Sequence, residues 1–361
     1  MQNAIRLKSA ARTVGAAFAV VVAAAAIAAC GSSSNSSASS SGNGSSAAAG
    51  SGSSSTAPAK NNKHLTLAYL SFAVQNSYDA PMLAAAQAVA ASNNATLKVF
   101  DANNSPTAQY SQFQDVITQG GYVGVITQPI ESTNLIPLVK QAAAKGIKVV
   151  NIDQILGPKL NTDADQAQGL SGNVAQVPTI IGHDLGVLTV QACAAKHYNP
   201  CKVGYLFDIK ASALDVALRS GFDAATKGSP VKVVQEGQDF FTPAGGLKAV
   251  QQMMSADPSI QVISGTDQGI EGAAQDPALK GKVTLVGYGG SAAGIAGVKA
   301  GTWYGTVVEL PATEGRVGMQ ELIDSIRDGK TFKGVNPYAG QVDGGLITKK
   351  NVSHFTGQWP G

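Results

Sequence analysis

The chain has 361 residues, 44% of them hydrophobic and 14% charged, with a formal net charge of +3 at pH 7. It has no Lys/Arg run and no interleaving of basic and aromatic residues, which argues against nucleic-acid binding, where clustered cations must meet phosphates. The 4 histidines (His64, His183, His197, His354) fall in no motif with a nucleophile or metal partner. Neither a Gly-x-Ser-x-Gly elbow nor a phosphate-cradling Gly-Lys-Ser occurs, so the composition points to a protein without enzymatic activity, metal or cofactor.

The N-terminus sets the compartment. Arg6, Lys8 and Arg12 form a basic stretch without acids, Val14 to Ala26 is an almost unbroken apolar run, and small residues lead to Cys30. That order reads as a secretory signal peptide over residues 1–29. The apolar run is too short and too poor in large side chains for a membrane span, which needs about 20 apolar residues. Ile27-Ala28-Ala29-Cys30-Gly31 resembles a bacterial lipobox. The resemblance implies cleavage before Cys30, lipidation of its sulfur and an extracytoplasmic protein held at the cell membrane; two or more chains give stable attachment. Loss of the leader's three basic residues leaves the remainder neutral. Residues 30–62 are nearly all Ser, Gly, Ala and Asn, which cannot bury enough apolar surface to offset ordering entropy and so read as a flexible tether. Cys193 and Cys201 are an even pair in an oxidising compartment, and a disulfide is expected.

From Leu65 the chain alternates short β-branched runs with Ala-rich helical stretches. Strands are expected at 65–70, 96–100, 123–127 and 147–152, with helices at 81–91, 107–119 and 135–145. Asp153 to Pro178 reads as a long polar loop, 179–182 as a short apolar strand and 185–196 as a helix. Strands at 202–207, 231–236, 260–264, 282–287 and 305–309 then alternate with helices at 213–226, 245–255, 292–300 and 313–327. Such alternation is the signature of βαβ units and parallel sheets. Runs such as Val-Gly-Val-Ile are apolar throughout, as strands covered on both faces are. About 300 ordered residues exceed a comfortable single core, so the fold class is α/β with two Rossmann-like lobes joined by a hinge. Ligands of open α/β sheets bind at the carboxyl ends of the strands.

Leu67-Ala-Tyr-Leu-Ser-Phe72, Gln75-Asn-Ser-Tyr-Asp-Ala-Pro-Met82, Val149-Val-Asn-Ile-Asp-Gln154, Arg219-Ser-Gly-Phe222, Val286-Gly-Tyr-Gly-Gly290 and Val308-Glu-Leu-Pro311 follow in order on strand ends. In this order and spacing the chain resembles the ribose-type (type I) periplasmic binding proteins of sugar transporters, from about Leu65 to Thr348. The resemblance implies crossings between lobes near His183, Leu310 and Val335. It gives an N-terminal lobe of 63–182 plus 310–336 and a C-terminal lobe of 183–309 plus 337–361. It also implies a monomeric receptor that hands a small polar ligand, a monosaccharide or polyol, to the membrane subunits of an ABC transporter.

The resemblance places ligand contacts at Ser71, Asn76 and Tyr78, with Asp79 where a second aromatic is common. Asp153 matches the family's sugar-binding Asp, and Gln154 replaces the usual Arg. Leu218 stands where an Arg is expected, with Arg219 adjacent. Phe240 occupies an aromatic position, and Thr266, with Asp267 beside it, stands in for Asn. Gly289 replaces an Asp, and Glu309 a Gln. On physical grounds, Asn76, Asp153, Gln154 and Glu309 supply planar hydrogen-bonding groups for vicinal hydroxyls, while Phe72, Tyr78, Phe240 and Tyr288 supply faces for sugar rings. Tyr288 and Trp303 also fit the core, and Asp184 also fits a helix cap. The Gly287–Gly290 run lacks the spacing of a dinucleotide loop and reads as a tight turn. With Asp79, Asp153 and Glu309 set against Arg219 alone, the ligand is expected to be rich in hydroxyls or positively charged, not anionic. A non-sugar ligand of the same fold, such as an amino acid, a signalling molecule or a cationic solute, is the alternative. A lactose-type repressor would need a helix-turn-helix where the leader and tether stand.

Overall fold

The computed structural model describes residues 62–361. The expected signal peptide, the expected lipidation at Cys30 and nearly all of the expected tether lie outside the described residues.

The first parallel sheet is built from β1 (Leu65–Ser71), β2 (Ala95–Asp101), β3 (Gly124–Thr127), β4 (Lys148–Asp153) and β5 (Leu170–Ala175), in the order β2-β1-β3-β4-β5. Its inner strands β1 and β3 carry the apolar runs Leu67–Leu70 and Gly124–Ile126 because helices cover both faces. On one face α1 (Asp79–Ser92) and α9 (Pro311–Asp328) bring Met82, Met319 and Leu322 against Leu67, Tyr69 and Val150. On the other, α2 (Pro106–Gln119) and α3 (Ile136–Ala144) bury Phe113, Val116 and Leu138 against Ala68, Leu70 and Val125.

The second sheet runs β11-β10-β9-β8-β6-β7, from β6 (Cys201–Phe207), β7 (Val231–Gln238), β8 (Val262–Thr266), β9 (Thr284–Gly289), β10 (Gly305–Val308) and β11 (Leu346–Thr348). Only β11 is antiparallel, on β10. Helices α4 (Pro178–Ala195) and α5 (Ala213–Thr226) cover one face, with Leu185, Leu188 and Phe222 packed on Tyr205 and Val286. They cross closely: a Cβ on Gly221 would lie 2.1 Å from the Thr179 carbonyl oxygen. Helices α6 (Pro243–Ala256), α7 (Asp267–Gln275) and α8 (Ala292–Ala300) close the other face. The Cys193–Cys201 disulfide ties the end of α4 to the start of β6. Among the described residues no helix is long and apolar enough to cross a membrane.

Several segments differ from the sequence expectation, among them α7 and β11, which it did not include. Residues 179–182 are helical, part of α4, which starts at Pro178 and packs on the second sheet. Their β-branched character suggested a strand, but Pro in the first turn of a helix is well placed because its missing N–H would have no intrahelical partner. β5 belongs to the first sheet and α4 packs on the second, so the chain passes between the sheets at Gln176 and Val177. The Asp153–Pro178 stretch is not all loop, since it contains β5. Asp184 lies inside α4 beside His183 and caps nothing. The chain returns after β10, where Leu310 leads into α9. It leaves again past Val335, which bridges β5: the Val335 N–H donates to the Asn173 carbonyl (2.9 Å) and its own carbonyl accepts from Ala175 (3.1 Å).

Candidate functional site

All of the strand ends that carry candidate residues face the gap between the two sheets. Where they meet is a cavity with an empty volume of about 550 Å³, its opening to solvent included. The first lobe contributes Phe72 after β1, Asn76, Tyr78 and Asp79 at the start of α1, Asp153 and Gln154 at the end of β4, and Gln176 after β5. The second contributes Leu214 and Leu218 from α5, Phe241 after β7, Thr266 at the end of β8, Gln268 from α7, Tyr288 from β9 and Trp359 from the C-terminal segment; Glu309 stands where β10 gives way to the hinge.

The lobes touch across this cavity. Gln268 Nε2 donates to Ser77 Oγ (2.9 Å) and Asn76 Oδ1 (3.3 Å). Phe72 meets Phe241 edge to face, with ring centroids 6.1 Å apart, and Tyr78 meets Trp359 at 5.3 Å. The Tyr78 hydroxyl also reaches Tyr338 (3.2 Å), which donates in turn to the buried Glu314 of α9. A closed arrangement of the two lobes is thus held by hydrogen bonds and ring contacts at the cavity rim and by a buried polar chain at the hinge.

The floor is a network of acids. Asp153 sits in left-handed backbone (φ 67°), a conformation that costs energy for a non-glycine residue and persists where the surroundings fix it. Its carboxylate accepts from Gln176 Nε2 (2.7 Å) and Gln128 Nε2 (3.0 Å), and Gln128 Nε2 also donates to Asp79 (2.5 Å). Gln128 Oε1 accepts the Phe72 N–H (3.1 Å), so one buried amide positions three wall residues. Burial raises the Asp153 pKa to about 6 against these hydrogen bonds. Burial, with Asp153 nearby, pushes Asp79 well above the usual carboxylate range. Glu309 is raised by burial and by the charges of Asp153 and Asp267. Among the described residues no Lys, Arg or His lines the cavity.

Nine of the residues expected from sequence thus share one wall: Phe72, Asn76, Tyr78, Asp79, Asp153, Gln154, Thr266, Tyr288 and Glu309. Four do not. Ser71 is buried beneath the wall, its hydroxyl without a partner. Arg219 points away, over the rings of Tyr205 and Phe207, and is bound to Asp223 (2.8 Å) and Glu236 (2.5 Å). Phe240 is 58% exposed, because Phe240 and Phe241 both adopt left-handed backbone and the turn carries Phe241 inward instead. Asp267 is fully buried and structural: it accepts from the Ser291 N–H (2.8 Å), the Ser291 hydroxyl (2.7 Å) and Thr306 (2.7 Å), tying β8, α8 and β10 together. Trp303 belongs to the core.

Gln128, Gln176, Gln268, Leu214, Phe241 and Trp359 were not singled out from sequence. Trp359 had one signal, Gly289 in place of an Asp. Gly289 has φ 135°, and a Cβ there would lie 2.5 Å from the Trp359 ring, whose Nε1 donates to the Gly289 carbonyl (2.7 Å). The indole fills the space a side chain at 289 would need. Likewise Leu218, in place of an Arg, makes the α5 wall apolar.

Residues 67–331 match the family model for the periplasmic binding protein domain. The chain belongs to this family. As a periplasmic binding protein of the ribose type, it is a ligand receptor and not an enzyme, placed outside the cytoplasm. It is 26% identical over 231 residues to the D-allose-binding periplasmic protein of Escherichia coli, covering 62% of this chain and 72% of that one. It is 25% identical over 288 residues to the ribose import binding protein of Salmonella typhimurium, covering 79% and 91%. A solute-binding protein of an ABC transporter from Mycobacterium smegmatis, solved with bound glycerol, shares the fold with a TM-score of 0.67 at 23% identity, covering 83% of this chain and all of that one.

The buried acids set a pH dependence. Asp153 and Asp267, both raised from 3.8 to about 6, keep their protons in the folded protein at pH values where the unfolded chain has lost them. Stability therefore falls as pH rises from about 4 to 6, by about 3 kcal/mol for each group. Urea unfolding of the ligand-free protein should show a lower midpoint at pH 7 than at pH 5. A midpoint that rises across this window would mean the acids are charged and compensated in the fold.

Proposed function

We propose that the protein is a lipid-anchored receptor that captures a monosaccharide or polyol between its lobes and delivers it to the membrane subunits of an ABC transporter, acting as a monomer. The single observation that carries the ligand class is the composition of the cavity wall. Planar amides and carboxylates (Asn76, Asp153, Gln154, Gln176) alternate with aromatic faces (Phe72, Tyr78, Phe241). Vicinal hydroxyls take paired hydrogen bonds from such groups, and the C–H faces of a sugar ring pack on aromatic rings. The names of its relatives, which bind D-allose and ribose, support the same class.

The mechanism follows from the two-lobed geometry. A ligand touching both lobes binds the closed form more strongly than the open one and shifts the population toward closure. The closed surface is the signal a transporter recognises. The lipid anchor rests on the lipobox-like Ile27–Gly31 segment and on the tether that follows it.

A thermal-shift screen over neutral monosaccharides and polyols tests the ligand class, because selective binding raises apparent stability. A hit should be weakened about tenfold or more by Asp153→Ala, the size expected for losing a charge-assisted hydrogen bond. Hits that ignore Asp153→Ala would move the site elsewhere. For the anchor, Cys30→Ser should shift the protein from the membrane fraction to the soluble one. Unchanged membrane retention would exclude lipidation at Cys30.

A further inference from the structure

The hydrogen-bonding capacity of the cavity is lopsided. Glu309 is only 5% exposed, lines the cavity and accepts no hydrogen bond from any described residue. Gln176, also on the wall, spends its Nε2 on Asp153 and leaves its Oε1 buried and unpartnered. Together with Asp79 and Asp153, the wall presents acceptors in excess. Its hydroxyl donors are already committed in part: the Tyr288 hydroxyl donates to Asp208, and Thr266 Oγ1 donates to Asp239 (3.0 Å).

A buried carboxylate without a partner is expensive, and the cost is recovered when a donor or a positive charge arrives. The protein supplies none here. Arg219 is held outside by Glu236 and Asp223, and Leu218 takes the nearer position. Among the described residues no group of three or more His, Cys, Asp or Glu side chains is arranged to hold a metal ion. The carboxylates are spread along a wall of aromatic rings, and such rings attract organic cations through their faces.

We propose that the preferred ligand is a small polyol carrying one ammonium group, of the amino-sugar class, with its nitrogen set between Glu309 and Asp153 and its hydroxyls on the Asn76, Gln154 and Gln176 amides. This rests on the interlobe cavity being the sugar site and narrows the class it takes. An ammonium brings three donors and no acceptor, which matches the surplus on the wall. N-acetylation removes the charge and adds a carbonyl acceptor, so the acetylated sugar should be rejected along with sugar acids.

Titration calorimetry of the wild-type protein with D-glucosamine, D-galactosamine and D-mannosamine, each beside its parent hexose and its N-acetyl form, decides the matter. At a pH where the amines are protonated, at least one amine should bind about tenfold to a hundredfold more tightly than its parent, the range of a charge-assisted hydrogen bond. Glu309→Gln should abolish that margin, bringing the affinity for the amine down to that for its parent hexose in the same variant. If the variant does not fold, the wild-type panel alone decides. Parent hexoses binding as tightly as the amines, or more so, would overturn the inference and leave the sugar receptor standing. Absence of binding by all three amines would overturn the inference, and the thermal-shift screen over monosaccharides and polyols would decide the receptor reading separately.

Discussion

Asp79, Asp153 and Glu309 are buried where the two lobes meet, and among the described residues no Lys, Arg or His lines the cavity with them. Most of what distinguishes this receptor depends on that constraint. Carboxylates removed from water must be protonated, hydrogen-bonded or matched by a ligand. Asp79 and Asp153 are partly satisfied through Gln128 and Gln176, whereas Glu309 is left to the cavity. Asp153 therefore weakens the empty protein as pH rises from about 4 to 6, and the three acids together define what the cavity accepts.

Closure and recognition are one event in this geometry. The first-lobe acids sit on the ends of β4 and the start of α1, while Glu309 follows β10 at a chain crossing. Gln268 reaches Asn76 and Ser77 only when the lobes meet, and Trp359 then packs against Tyr78. Behind them, Tyr78, Tyr338 and Glu314 link the cavity wall to two of the crossing segments. A ligand that satisfies Glu309 and Asp153 together favours the state in which these contacts form.

The repeating βα architecture was legible because buried parallel strands leave an unmistakable trace: Leu67 to Leu70, Gly124 to Ile126 and Val203 to Phe207 are apolar on both faces. The trace failed where polar groups replace apolar ones. β5 carries Ser171, Gly172 and Asn173, and Asn173 is tolerated inside only because it accepts from Asn151 (2.8 Å) and donates to the Asp163 carbonyl (2.7 Å). Helix α7 is short and rich in Gly, and its start is marked by Thr266 accepting the Gly269 N–H. At the site, residues on the first loop and the β4 end were readable because their spacing fixes them to strand ends. Phe241 was displaced from Phe240 by a turn of two left-handed residues, which no local pattern announced. Trp359 arrives from the C-terminus, and only the bare Gly289 hinted at it. Arg219 looked like a site cation because sequence adjacency cannot show which way one side chain of a helix turns.

The most direct test counts protons. Calorimetric titration with D-glucosamine at about pH 6, repeated in buffers of different ionisation enthalpy, gives the number of protons exchanged on binding. A cationic polyol placed against Glu309 and Asp153 stabilises their charged forms, so net proton release is expected. Binding with no exchange, or with proton uptake, would contradict a cavity whose buried acids are completed by the ligand's charge.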